Sequence, residues 1–408
     1  MSGPSHACRP LLLVLLGLHT AACGGSDGAE TDRLESVELA PDPVVSIGAG
    51  DARAEYAFAR VTGGVLLADA RGFVLLETQA REVRRYGPGG EHVATFGRAG
   101  AGPGEFGLPV ALAPGMGDSV HVWDLQQRRL TTLSTEDGGV RMQDFGQALS
   151  GLGQALANLQ GILRDGTLVV RNVGGIPPPS EVSDGVHRFP VELVALTPSG
   201  SSADGPLAVM AGDETFYLIV DGRPHVPIFP VAPIWGLTSP GAARGERVVF
   251  GSTERVELAL LDARGDSVSV LSSRATGRPV EAAEVDSLRD LAFAGLDAPG
   301  FRNLPPAART GVVEPQRERI RRAPARQVTP VFDVLRIDSH ERTWVRLVGP
   351  RFAPTATWLV YDRDGEPLGA VTTPADFQFL DARGSRLLVV RLDELDVPLV
   401  EVWEVLWR

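Results

Sequence analysis

From about residue 50 onward, short apolar runs rich in β-branched residues alternate with clusters of Gly, Asp, Pro and Ser, and one unit recurs. It opens on a Gly- or Asp-marked turn and continues as a strand-like run: Gly63–Ala68, Asp118–Trp123, Asp165–Val170, Gly245–Phe250, His340–Val345 and Gly384–Val389. A second run follows each, often carrying a Gly-containing turn into a third, as in Val83–Phe96, Leu130–Phe145, Leu193–Val209, Leu258–Leu271 and Trp358–Val371. Runs of this length and composition, joined by tight turns, predict antiparallel sheet. The copies recur at about 45–95 residues, a repeat that predicts an all-β fold, a six-bladed β-propeller of four-stranded antiparallel blades. The last copy ends on Val400–Trp407, with no room for another strand. The β-rich stretch Ser36–Ile47 can supply the missing outer strand and remove an open sheet edge at the seam.

Two wide gaps hold insertions. One is the Pro-rich loop Ile176–Pro179 in the third copy; the other spans 280–327, between the fourth and fifth. The second predicts helix. Pro279 precedes Glu281 and Glu284, which suit a helix start, and Leu288, Leu291, Ala292 and Gly295 fall on one face. Asp297–Gly300 stops it, and Glu314–Arg322 predicts a second short helix carrying Arg317, Arg319, Arg321 and Arg322, with Arg326 just after. Such a run reads either as a solvated face or as a surface for an anionic headgroup or glycan.

The N-terminus reads as a targeting segment. Arg9 precedes the apolar run Leu11–Leu18, then come Thr20-Ala21-Ala22-Cys23 and Gly24-Gly25-Ser26-Asp27-Gly28. The run is far too short for a permanent membrane helix and has the layout of a signal peptide over residues 1–22. Small residues before a Cys resemble the lipobox of bacterial lipoproteins, with Thr20 where that family has Leu. The resemblance implies acylation of Cys23 and, with Gly24 rather than Asp after the Cys, the outer membrane; the Gly/Ser/Asp/Glu composition makes 23–33 a flexible tether, and the repeats place the propeller over 34–408. Ordinary secretion with cleavage after Ala22 is the alternative. The chain has two Cys, and Cys8 lies in the signal, so the exported part keeps Cys23 alone and has no partner for an internal disulfide.

Hydrophobic residues make up 43% and charged residues 22%, an ordinary globular balance. Net charge is −12, and loss of residues 1–22 removes only Arg9, leaving −12 − 1 = −13. That acidity argues against a nucleic-acid partner. All 39 basic residues are Arg, and Asn occurs only at 158, 172 and 303, as expected of codon bias in a GC-rich genome.

The stretch Phe96–Phe106 (FGRAGAGPGEF), followed by Val122-Trp123-Asp124, Gln127, Arg129 and Leu130, resembles the inter-blade link and motif of NHL-repeat-like six-bladed propellers. The resemblance covers nearly the whole exported chain and is specific for fold. It implies structural roles for Gly102, Pro103, Gly104 and Phe106, with Asp124 capping a turn and Arg129 tethering the neighbouring strand.

Catalytic signatures are few. His92, His121, His187, His225 and His340 show no metal-ligand spacing, and there is no Gly-x-Ser-x-Gly elbow and no phosphate-binding loop. Propeller enzymes of the gluconolactonase/regucalcin type hold a divalent metal with acids and Asn scattered over the inner strands. Here the starts of those strands offer Glu105, Gln160, Trp235, Phe332 and Phe377. The expectation is a non-catalytic, envelope-anchored binding or scaffolding module for a protein or glycan, without cofactor or metal, monomeric, and touching the membrane only through its anchor. Glu105, Trp235, Arg317, Arg319, Arg321 and Arg322 are the candidate binding residues. A metal-dependent hydrolase using the central channel is the alternative. If the lipobox reading is right, a bacterium expressing the chain will incorporate labelled fatty acid into the wild type and not into Cys23→Ser; equal labelling of both contradicts it.

Overall fold

Short apolar runs separated by turn residues build a series of antiparallel ladders. The computed structural model describes residues 36–48, 53–152, 158–172, 181–201, 205–220, 223–224 and 232–407, all within the unit Leu34–Arg408. The signal segment, Cys23, the tether and the Ile176–Pro179 loop lie outside the described residues. Two short strands come first, β1 (Ser36–Leu39) and β2 (Val45–Gly48). Then follow β3 (Val61–Leu66), β4 (Phe73–Glu77), β5 (Glu82–Tyr86) and β6 (His92–Phe96), paired in that order. The next ladder is β7 (Pro109–Pro114), β8 (Ser119–Asp124), β9 (Arg129–Ser134) and β10 (Val140–Asp144), followed by helix α1 (Gly146–Gly151).

β11 (Asn158–Leu163) and β12 (Leu168–Asn172) follow, then β13 (Gly185–His187), β14 (Pro190–Thr197), β15 (Gly200–Ser201), β16 (Ala208–Ala211) and β17 (Thr215–Tyr217). β14 pairs with β12 and carries β15 and β16 on its outer edge, while β13 pairs with β17. After the small pair β18 (Ile219–Val220) and β19 (Arg223–Pro224) come β20 (Gly241–Gly245), β21 (Arg247–Phe250), β22 (Glu257–Asp262) and β23 (Ser267–Ser272).

Helices α2 (Ala282–Gly295), α3 (Pro299–Arg302) and α4 (Pro306–Arg322) precede β24 (Phe332–Ile337), β25 (Thr343–Leu347), β26 (Thr355–Tyr361) and β27 (Pro367–Pro374). The chain ends on β28 (Gln378–Arg383), β29 (Arg386–Leu392) and β30 (Pro398–Leu406).

Apolar side chains on both faces of each ladder interlock with the neighbours. Val65, Val74 and Leu76 meet Leu112, Val120 and Val122. Trp123, Leu130 and Phe145 meet Ile162, Leu168 and Val170. Leu163, Val169 and Leu193 meet Ala243 and Val248, Val249 and Leu258 meet Phe332 and Val345, and Trp344, Trp358 and Val371 meet Val389 and Trp403. The last ladder returns to the first, with Leu388, Val390, Val400 and Val402 against Val61, Phe73, Leu75 and Tyr86. Each fully buried side chain of this size contributes roughly 1.5–3 kcal/mol. The result is a mostly β, propeller-like ring with few helices.

β1 and β2 both pair antiparallel with β30, Leu39 opposite Val405 and Val45 opposite Val402, so the N-terminal strands complete the ladder of the C-terminal ones. β1 also pairs in parallel with β27 of the preceding ladder.

Three sequence expectations change. Gly63-Gly64 is no turn but lies inside β3, where a Cβ would stand 2.8 Å from Leu112 Cβ or 2.7 Å from Leu388 Cδ2, and the β3–β4 turn falls instead at Gly72, with φ +100°. In α2 the predicted apolar face is not the packed one, because Leu291 is 61% exposed and Ala292 and Gly295 face solvent, while Leu296 packs on Val313 and Ile320 of α4. Finally, α4 begins at Pro306 rather than Glu314 and runs through Pro315, its start favoured by Pro305-Pro306.

His121 joins two ladders. Its Nε2–H donates to the Arg164 carbonyl at 3.0 Å and its Nδ1 accepts from the Thr132 hydroxyl at 3.0 Å. Burial holds its pKa below the ordinary value against the opposing Arg164 bond, with Arg141 adding to the lowering. The unfolded chain takes up this proton near the ordinary pKa of about 6.5, and the folded chain does so only at lower pH. The unfolded state therefore binds more protons in that window, and stability falls with acidification by up to about 1.4 kcal/mol per pH unit. Urea midpoints of the wild type should drop between pH 7 and pH 5, and His121→Gln should show a shallower drop; parallel curves would assign the slope to other groups.

Candidate functional site

The link before β7 is stapled by its own polar groups. Asp124 is fully buried and accepts from the backbone N–H groups of Gly107 (2.6 Å), Leu108 (3.1 Å) and Gln127 (2.9 Å). Arg129 donates to the carbonyls of Ala101, Gly102 and Glu105, at 3.0, 3.3 and 2.7 Å. It therefore grips the link itself. The Glu105 carboxylate accepts from Gly102 N–H at 2.8 Å and pairs with Arg98 at 2.7 Å, and these two partners lower its pKa. Gly104 takes φ +70°, Pro103 is exposed and Phe106 is buried against Gly97. Glu105 is thus spent inside this loop and lines neither the channel nor the wider cavity described below.

The Arg-rich segment is occupied in a similar way. Arg317 pairs with Asp297 at 2.8 Å, Arg321 with Glu318 at 2.8 Å, Arg322 with Asp184 at 3.9 Å and Arg326 with Glu214 at 2.7 Å. Arg319 is 2% exposed, and burial lowers its pKa. Trp235 is joined to the segment after α4 by the Ile234–Ala325 bridge and stands under the Arg278 guanidinium, 5.8 Å from its ring centre. The structure therefore brings Trp235 and the Arg-rich insertion to one junction, and leaves Glu105 in a separate link.

The inner strands β3, β7, β11, β20, β24 and β28 surround a narrow channel of about 240 Å³. It is narrow because β11 and β20 come close enough to pair in parallel, Gly161 opposite Ala243, where any Cβ on Gly161 would overlap the Ala243 carbonyl. Its polar lining is Thr62, Gln160, Arg244 and Arg336, with no carboxylate. Gln160 accepts from Gly241 N–H at 3.0 Å. At the ends of the inner strands Arg244 reaches Asp381 at 3.2 Å and Ser339 Oγ at 3.2 Å.

Where the inner strands begin, a wider cavity of about 550 Å³ opens, sharing Thr62, Arg336, Phe379 and Leu380 with the channel. Arg60, Arg336, Arg346, Gln378 and Thr62 supply its polar side, and Trp358, Phe377, Phe379, Val334, Val390 and Leu392 its apolar side. Again no carboxylate lines it. Arg346 is held by a two-point pair to Asp333, with both contacts at 2.8 Å. Arg336 donates from Nη1 to the Leu335 carbonyl at 2.9 Å and has no ion pair among the described residues. Desolvation, then the neighbouring Arg346 charge, lowers its pKa against the pull of Asp333, yet an Arg stays cationic at neutral pH. The Arg60 guanidinium likewise makes no hydrogen bond or ion pair with a described residue, its backbone N–H going to Glu77.

No protein-family model matches the chain, and no curated protein matches it. Solved structures with propeller-like folds do. A member of the DUF4221 family from Bacteroides vulgatus is 10% identical, covering 90% of this chain and 98% of its own, at a TM-score of 0.47. A gluconolactonase from Xanthomonas campestris is 16% identical, covering 91% and 98%, at 0.35. A calcium-binding protein, regucalcin, from Agrobacterium tumefaciens is 13% identical, covering 91% and 97%, at 0.33. Nothing about this chain's ligand or chemistry follows from likenesses at that level.

Of the residues expected at the channel, Gln160 lines it and Phe377 lines the wider cavity, whereas Phe332 is buried in the core between ladders. Arg60, Arg336, Arg346 and Gln378 escaped the sequence reading. The one available signal was a charged residue set among the apolar positions of an inner strand, as in Phe332-Asp-Val-Leu-Arg336-Ile.

Proposed function

We propose that this chain is an exported, non-catalytic binding module, a propeller of six four-stranded blades anchored at the envelope through Cys23, that takes its ligand where the inner strands begin. The observation carrying this reading is the 550 Å³ cavity there, within the usual size of ligand pockets and walled by apolar residues with a few convergent polar groups. Sequential ladders that return to the first, with β1 and β2 added to β30, support the blade count. The Asp124 and Arg129 contacts to the link support the NHL-like reading. Lipid anchoring rests on the Cys23 sequence context; among the described residues no helix is long and apolar enough to cross a membrane.

The hydrolase alternative requires a divalent cation in the channel. Among the described residues no group of three or more His, Cys, Asp or Glu side chains could hold one. The channel lining instead carries Arg336, without an ion pair among the described residues, and Arg244, paired with Asp381, and offers no free acid to such an ion. Filling the cavity with Gln378→Trp should abolish binding of a glycan and peptide panel that the wild type binds. Lactones and phosphoesters with Ca²⁺, Mn²⁺ or Zn²⁺ should not turn over. Metal-dependent turnover of any of them by the wild type would replace the binding reading with the enzyme.

A further inference from the structure

Three guanidinium groups face one cavity and no carboxylate does, although the chain as a whole is acidic. Arg346 is neutralised by Asp333, so the uncompensated charge belongs to Arg336 and Arg60. Arg336 sits on an inner strand at the junction of the cavity and the channel, with one Nη spent on its own chain and the rest of its donor fork free toward the lumen among the described residues. Arg336 and Arg60 both keep exposed surface where they line the cavity, so an anion can reach either one. The cavity also has an apolar side, formed by Val334, two residues before Arg336 on β24, with Phe379 and Leu392.

We propose that this cavity recognises a small organic anion, a carboxylate or phosphate monoester on an apolar or aromatic body, with Arg336 as the principal anion-binding residue and Arg60 as its second cation. The planar fork of Arg336 matches either oxyanion by two parallel hydrogen bonds. The apolar wall takes the body, and the narrow channel below keeps the ligand at the mouth. The inference rests on the binding reading above and adds the chemical class of the ligand.

The test uses a matched set on the full chain: 2-naphthoate, 2-naphthyl phosphate, the neutral 2-naphthalenemethanol and inorganic phosphate alone, each titrated by calorimetry. The wild type should bind at least one aryl anion ten or more times more tightly than the neutral alcohol, and inorganic phosphate more weakly than the aryl phosphate. The ratio of carboxylate to phosphate affinity distinguishes the two headgroups. Arg336→Gln should lose at least tenfold in anion affinity while binding the alcohol as before, the size expected of a charge-assisted hydrogen bond, and Arg336→Lys should recover part of the loss. Equal binding of anion and alcohol by the wild type, or anion binding undiminished in Arg336→Gln, overturns the proposal. If Gln378→Trp still abolishes binding of every probe, the cavity reading survives that failure; if Gln378→Trp leaves binding intact, both fall. Should Arg336→Gln not fold, the wild-type comparison of anion with alcohol decides alone.

Discussion

Asp381, fully buried in β28, accepts three hydrogen bonds from other parts of the ring, from Leu66 N–H at the end of β3 (2.8 Å) and from Ser339 N–H (3.0 Å) and Oγ–H (2.6 Å) just after β24, and forms an ion pair with Arg244 of β20 (3.2 Å). Most other contacts in the ring join neighbouring ladders, with Arg164–Glu341 reaching past one. This carboxylate instead ties four ladders at one point, including the two that meet at the seam. Burial pushes its pKa up, and the Arg244 charge and the hydrogen bonds from Ser339 and Leu66 oppose that shift. Removing one partner of such a buried cluster typically costs about 3–5 kcal/mol, because the remaining charge is left uncompensated. Arg383 reinforces the seam by donating to the Leu66 carbonyl at 2.9 Å.

The cluster also explains the polarity of the site. Arg244 and Asp381 pair across the ends of the inner strands and neutralise each other there, and free volume is left at the opposite end, where the inner strands begin. Arg336 stands between the two regions. The same strands therefore supply a satisfied charge pair at one end and an unsatisfied charge at the other. The Arg-rich insertion, by contrast, has spent its cations on Asp297, Glu318, Asp184 and Glu214.

Much of the fold was legible because ladders write themselves locally. The turn residues before β8, β12, β21, β25 and β29 and the β-rich stretch that became β1 and β2 all follow from period and composition. Gly63-Gly64 misled because a glycine pair signals either a turn or a close approach of strands, and only the neighbours Leu112 and Leu388 distinguish the two. The site was far less legible. Arg336, Arg60 and Gln378 lie up to 318 residues apart along the chain and converge only when the ring closes. Asp381 reads as an ordinary turn acid from its Leu-Asp-Ala-Arg-Gly context, and only its partners reveal it. Sequence reasoning chose Glu105 for its place at an inner-strand start and Arg317–Arg322 for their clustered charge, whereas the structure pairs Glu105 with Arg98, and Arg317, Arg321 and Arg322 with Asp297, Glu318 and Asp184.

The central claim is that the Asp381 cluster couples the ladders on both sides of the seam. Amide hydrogen exchange of Asp381→Asn against the wild type tests it directly, because exchange reports local opening ladder by ladder. The account predicts faster exchange in the ends of β3, β20 and β24 together, at Leu66, Gly245 and Ile337, with β9 and β10 unchanged. Faster exchange confined to β28, with the other inner strands protected as in the wild type, would contradict it.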